Sequence, residues 1–411
     1  MPSPSGFSTP SAPESAFPRF MLVDMNSFFA SVEQQANPFY RGRPIGVCGS
    51  LHRGSSLIAA SKEAKVLGIG TGTPNWKARQ VCPDIIMVQA EPAKYRQVNR
   101  MFNRILEDYS DRIEHYSIDE SFLDLRDSAA NPLAMAAEIK RRIRAEVGEY
   151  ITCSVGLGQN RFLSKMASGL QKPDGLTVIW RSQLKEVYKK LGFRDLWGLN
   201  RGWERRLNQL GMSGPADLLD YPLANIVAAY GKPGYYIWNR VNGLEVDEIA
   251  TSGQEEEAPK SFGHSWVLNF RSREKLRIEP VIMRLAEKAA RRMRRGGFKA
   301  RGVYVTISEA SGRYHHQSKR LQYDVTTGTD LYQQAKVIWK DWEFLSEVSK
   351  VAVGFFDLVS HQEQPPLFGH GDRELNESID TINDKYGEFT IRSGLLAETA
   401  DYAPDAIAFG K

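Results

Sequence analysis

The apolar run Phe20-Met21-Leu22-Val23 stops at an aspartate, Asp24, and ninety-five positions later two short alternating segments turn at Asp119-Glu120. A run of this kind reads as a buried strand that delivers a carboxylate to its tip, and residues 113–125 read as a β-hairpin. If the hairpin pairs beside the first strand, three carboxylates meet at one sheet edge. Like charges in one place raise each other's pKa, so cations must fill such a cluster. Mg²⁺ is a hard ion that takes carboxylate, carbonyl and phosphate oxygens. Two such ions about 3.5–4 Å apart clamp the attacking and leaving oxygens of an in-line phosphoryl displacement. Taken singly, each acid could cap a turn or solvate a loop tip. The flanking Ile118 and Phe122 imply partial burial of the pair, and buried carboxylates need partners.

The rest of the chain is organised around this edge. Residues 1–17 are Ser- and Pro-rich with no basic or apolar stretch, which predicts a disordered tail rather than a secretory signal. After the first strand, 26–35 reads as a helix, 44–48 as a strand and 56–67 as a helix ended by glycines. Helices are then predicted over 94–109, 131–147 and 160–170, with a strand at 150–156. This interleaving predicts a mixed sheet with helices on one face. Residues 181–248 read as all-helical, 251–259 as an acidic Gly- and Pro-containing linker, and 260–360 as strand, helix, strand, strand, helix, strand. No repeat and no membrane-length apolar run occurs. The three cysteines, Cys48, Cys82 and Cys153, lack metal or disulfide spacing and fit a reducing cytoplasm.

Charge is unevenly spread. The 411 residues carry a formal net charge of +5, yet residues 271–301 hold twelve basic residues against three acids. Within that stretch Ile282, Leu285, Ala286, Ala289 and Met293 keep helical spacing toward a core, while Arg284, Lys288, Arg291 or Arg292, and Arg295 run along another face. Such a stripe tracks a phosphate backbone without reading bases.

The segments Val23-Asp24-Met25-Asn26-Ser27-Phe28-Phe29-Ala30-Ser31-Val32-Glu33 and Tyr116-Ser117-Ile118-Asp119-Glu120-Ser121-Phe122-Leu123-Asp124 resemble the two catalytic motifs of Y-family, or translesion, DNA polymerases. The resemblance is closest to bacterial polymerase IV-like proteins and covers nearly everything after residue 19. It implies an α/β (α+β) right-hand polymerase. The palm would be 19–35 and 78–180, small fingers 36–77, a helical thumb 181–250, and a DNA-binding little finger 260–361. Asp24, Asp119, Glu120 and the Met25 carbonyl then match ligands of two Mg²⁺ ions. Phe28 and Phe29 match the nucleotide-facing aromatics, with Phe29 as the gate against a 2′-hydroxyl. Lys65 matches a phosphate-contacting Arg, Lys62 replaces a Tyr, and Lys172 in Gln171-Lys172-Pro173-Asp174-Gly175 matches a lysine that reaches the triphosphate. Asn26 stands where many such proteins have a second aspartate.

The stretch Leu196–Met212 resembles a helix-hairpin-helix, whose turn points backbone N–H groups at a phosphate. Arg201 adds charge there, and Asn200 stands in place of the usual second glycine. Gln364-Pro365-Pro366-Leu367-Phe368 resembles the bacterial sliding-clamp peptide, with Gln364, Leu367 and Phe368 as its contacts. A tail, 362–411, carries this peptide and an amphipathic stripe of Leu375, Ile379, Ile382 and Tyr386. The resemblance implies a monomeric cytoplasmic, nucleoid-associated polymerase. It would take primer-template DNA and dNTPs, synthesise with low fidelity and lack proofreading. The competing readings are an inactive adaptor that binds DNA and the clamp, and a nucleotide cyclase with a palm-like metal site.

Overall fold

A computed structural model describes residues 18–246, 249, 258–360, 371–397 and 403, apart from Gly54 and Ala129. The chain divides into two compact units near residue 254. The first contains β1 (Phe20–Met25), α1 (Phe28–Ala36), β2 (Ile45–Cys48), β3 (Leu57–Ala60), α2 (Lys62–Val66), α3 (Asn75–Val81), β4 (Ile86–Gln89) and α4 (Pro92–Glu107). It continues with β5 (Ile113–Ser117), β6 (Glu120–Asp124), α5 (Pro132–Arg142), β7 (Cys153–Gly158), α6 (Arg161–Leu170) and β8 (Leu176–Ile179). Four helices complete it: α7 (Leu184–Tyr188), α8 (Arg201–Gln209), α9 (Asp217–Asp220) and α10 (Leu223–Val241).

The central sheet has the order β5-β6-β1-β7-β8, with β7 and β8 parallel and the other neighbours antiparallel. Every residue of β1 is buried, so the strand is apolar on both faces, as a central strand must be. Met21, Val23, Leu123, Val155 and Leu157 pack on one face with Phe28, Phe102 and Ile139 from α1, α4 and α5. The expected layering, with helices on one face, is corrected here, because α6 covers the other face. Gly156 and Gly158 make this possible: a Cβ at Gly156 would lie 2.0 Å from the Ser164 carbonyl oxygen. Phe20, Leu22 and Phe122 on that face meet Trp197, which stacks on Phe162 of α6 and so joins the helical region to the sheet.

A second sheet has the order β3-β2-β4. Two expectations change there. Residues 56–67 are not one helix, because Leu57–Ala60 pairs with β2 and only Lys62–Val66 is helical. Ser61 makes the switch: its hydroxyl caps α2 through Ala64 N–H and also accepts from Ile45 N–H. The small sheet also takes in β4, parallel to β2, so it runs to Gln89 and not to residue 77.

The second unit contains β9 (Ser261–Ser272), α11 (Lys275–Arg295), β10 (Phe298–Glu309), β11 (Tyr314–Val325), α12 (Gly328–Trp339), β12 (Val348–Ser360) and α13 (Gly371–Tyr386). Its antiparallel sheet has the order β11-β10-β12-β9. One face is covered by α11 and α12, where Val303, Val305, Ile307, Val351 and Val353 meet Ile282, Leu285, Ala286, Ala289 and Met293. The predicted apolar face of the basic helix is therefore the core face. Residues 251–257 of the expected linker, the N-terminal tail 1–17 and the peptide Gln364–Phe368 lie outside the described residues.

Candidate active site

Strand pairing places the acids. Asp24 stands opposite Glu120 on β6 and opposite Ser154 on β7, and Met25 N–H donates to the Asp119 carbonyl at 2.8 Å. Asp24 and Glu120 therefore share one sheet face at the strand end, with Asp119 one residue away in the hairpin turn. Asp24 and Glu120 are 6% and 8% exposed, too buried to be left without cations. Directly after this strand end Ser27 adopts a left-handed backbone, φ 47°, which turns the chain sharply into α1 and marks local strain.

Two lysines meet the carboxylates. The ammonium of Lys172 donates to Asp24 at 2.5 Å, and Lys165 donates to Asp24 at 3.1 Å and also to Glu120. Lys165 is absent from the sequence expectations. It is the lone cation on the inward part of α6, flanked by the buried residues Phe162, Leu163, Ser164, Met166, Ala167 and Ser168. That isolation, with the glycines of β7 that admit the helix, is the signal that marks it.

The Lys172 turn is pinned by Asn26. Its amide donates to Ser154 Oγ at 2.9 Å, and its carbonyl oxygen accepts from Asp174 N–H at 2.8 Å and Thr152 Oγ1 at 3.2 Å. An amide suits this post because it donates and accepts at once, which a carboxylate does not.

Electrostatics follow from crowding. Burial pushes the Asp119 carboxyl up, with Asp24 adding to the push, while the Ser117 hydroxyl, 2.6 Å away, opposes it. Glu120 is also raised by burial, against the pull of Lys165. Burial would lower the Lys165 ammonium, but Asp24 and Glu120 carry it above the ordinary lysine value. Lys65 is lowered by burial and by Lys172, with Asp24 and Asp119 acting the other way, which places it in the field of this cluster. Lys62, with a side chain 68% exposed, lies 3.9 Å from Glu63.

Among the described residues no three His, Cys, Asp or Glu side chains converge as a ready metal cage. The physical reason is visible: Lys165 stands between Asp24 and Glu120, and Ser117 holds Asp119. The donor set still fits a hard divalent cation, since it consists of oxygens and two of its carboxylates already share a cation.

The two phenylalanines divide. Phe28 turns its ring toward α4, edge-on to Phe102 at 6.0 Å. Phe29 lies over Tyr95, with ring centroids 4.6 Å apart. The Tyr95 hydroxyl donates to Glu33 at 2.7 Å, and Glu33 also accepts from Lys94 at 2.8 Å, so α1 and α4 give Phe29 a fixed platform.

Two groups of expected DNA contacts have partners within the chain. The hairpin amides of Gly202 and Trp203 donate to Asn200 Oδ1 at 2.9 and 3.1 Å, so that side chain takes the place expected of a phosphate; Arg201 remains exposed beside it. On α11 Arg284, Lys288 and Arg291 are largely covered, while Arg295 is half exposed. Arg284 lies over the Phe389 ring at 4.1 Å, Lys288 pairs with Glu388 at 2.9 Å, and Arg291 and Arg295 both pair with Asp384. Arg292 points elsewhere, to the Gly263 carbonyl oxygen at 3.2 Å. The acids come from sequence about 90 positions further on, which no local spacing announces.

The family model for the impB/mucB/samB family matches residues 23–169, and the model for that family's C-terminal domain matches residues 259–367. A DNA polymerase IV of Moorella thermoacetica is 34% identical over 90% of this chain and 94% of that protein. One of Pelotomaculum thermopropionicum is 32% identical over 90% of this chain and 93% of that protein. A DNA polymerase IV of Bacillus subtilis is 28% identical over 95% of each chain. A chimeric Y-family DNA polymerase of known structure superposes with a TM-score of 0.69 over 83% of this chain and 99% of that one, at 24% identity.

Proposed function

The chain belongs to the impB/mucB/samB family, and from that premise we propose that it is a DNA-directed DNA polymerase of the Y family. It transfers a nucleotide from a dNTP to a primer 3′-hydroxyl and copies damaged templates with low fidelity and without proofreading. The observation that carries the reading is the register that sets Asp24 opposite Glu120 beside Asp119, with Lys172 held on Asp24 by an Asn26-pinned turn.

Asp24, Asp119, Glu120 and the Met25 carbonyl would hold two Mg²⁺ ions. When bound, such ions lower the pKa of the primer hydroxyl and offset charge on the transferring phosphoryl group. The chain's own part is positioning and charge. Lys172, Lys165 and Lys65 surround the carboxylates with fixed cations that suit the triphosphate. Phe29, braced by Tyr95, limits the space at the sugar. In the second unit the helix-free sheet face offers Ser265, Lys350, Thr306, Ser318 and Arg320 for a phosphate backbone, in place of the covered helix stripe. Gln364, Leu367 and Phe368 would fill a sliding clamp's groove.

Primer extension with Mg²⁺ and dNTPs tests the reading: template-directed extension is expected, and none by the folded wild-type protein would leave the inactive adaptor standing.

A further inference from the structure

The segment after residue 370 lies beyond the matched family domain, and what it does in the second unit has a specific chemistry. Helix α13 and the turn after it lie along the basic face of α11. Arg294 makes two bonds of 2.9 Å to the Asp380 carboxylate, Arg291 and Arg295 converge on Asp384, and Lys288 meets Glu388. Phe389 covers Arg284, and Leu396, fully buried in the core with α11, anchors the far end.

Between those anchors the seam is loosely filled and mixed in character, with Leu375, Ile379, Phe389 and Ile391 beside the charged groups. A cavity of about 470 Å³ runs along it, lined by Lys288, Arg291, Arg294, Asp380 and Glu388 among others. Of the apolar residues of α13, Leu375 is 57% and Tyr386 65% exposed, while Ile379 and Ile382 are half-buried. Arg295 and Asp384 pair at the surface, with both side chains about half exposed, and such a pair is worth roughly 0.2–1 kcal/mol and weakens with salt; Lys288, Arg291 and Arg294 are more enclosed. A denser polyanion offers these cations the same charge-assisted bonds that the carboxylates give them.

We propose that the outer face of α11 is a second DNA-backbone surface, and that segment 371–397 covers it by setting carboxylates where backbone phosphates would lie, so that duplex DNA and this segment compete for the same cations. Lys288, Arg291, Arg294 and Arg295 are the contested groups, and Leu396 keeps the displaced segment tethered. The inference rests on DNA being the ligand of this chain, not on its catalytic competence.

The test uses the full chain and a labelled blunt DNA duplex. In the variant Asp380→Asn/Asp384→Asn/Glu388→Gln, binding should tighten. The slope of log affinity against log salt should also steepen by about 2–4, because each further phosphate contact adds about 0.9. In the wild type, DNA should speed amide hydrogen exchange across residues 371–386. An unchanged slope in the folded variant overturns the proposal, as does exchange that stays the same or slows with DNA; the exchange result decides alone if the variant does not fold. Primer extension by the same wild-type preparation reports separately on the polymerase reading.

Discussion

Phe29→Ala removes a ring whose setting fixes the size of the expected effect. Phe29 is 4% exposed and rests on Tyr95 at 4.6 Å, and Tyr95 is tied to Glu33 and Lys94. The ring cannot retreat without breaking those bonds, so an added 2′-hydroxyl beside it meets a packed wall. Forcing extra atoms against such a wall costs about 1–3 kcal/mol. At about 1.4 kcal/mol per factor of ten, that is roughly a 5- to 150-fold preference for deoxynucleotides from this contact. The assay is kcat/KM for a ribonucleotide and its deoxy counterpart opposite one template base. The variant should lose about 10- to 100-fold of the preference. It should also lose about 3 kcal/mol of stability from the emptied site, so the assay belongs at low temperature with folding checked. Glu33→Gln, which weakens the platform but keeps the ring, should lose less of the preference. An unchanged ratio in folded, dNTP-competent Phe29→Ala protein would remove Phe29 from the gate role and the stacked platform from the explanation.

The other expectations concern charge. Lys165→Met leaves Asp24 and Glu120 without a shared cation; since the lysine side chain is 23% exposed, the loss is about 2 kcal/mol, below the range for a fully buried pair, and an unshifted urea midpoint in chelator would refute it. Glu309 takes the opposite sign from Glu120. Burial alone would raise its carboxyl, but Ser346, His315 and Arg313 hold it at about 2, below the ordinary 4.5. Its contribution to stability is therefore present above about pH 4.5 and lost as the pH falls toward 2. Glu309→Gln should flatten the acid side of a stability–pH curve, and two curves of the same shape would contradict that. Deleting Gln364–Phe368 should weaken clamp stimulation while basal extension persists; undiminished clamp capture in a pull-down would refute that role.

How much of this was legible beforehand depends on whether the signal is local. Asp24, Asp119 and Glu120 could be read because each ends a short apolar segment, and strand pairing does the rest. Lys172 sits in a Pro- and Gly-bounded turn, and its role could be read only from that turn's resemblance to the family's. Lys165 is harder to read: its mark is to be the one cation among the inward residues of α6, and that mark gains meaning only once Gly156 and Gly158 set the helix low on the sheet. The division between Phe28 and Phe29 depends on α4, sixty-odd residues away. Leu57–Ala60 read as helix because its small apolar residues suit either state, and pairing with β2 decided it. The covering of Lys288, Arg291 and Arg295 by Asp384 and Glu388 is a long-range match of charge with no periodicity at either end.

The central claim is that the carboxylates at the end of β1 and in the β5–β6 turn carry out nucleotidyl transfer. Primer extension by Asp119→Ala, with DNA binding followed on the same protein, tests it most directly. Extension should fall by about a thousandfold or more while binding stays near the wild-type value. Extension at a rate comparable to wild type would contradict the account.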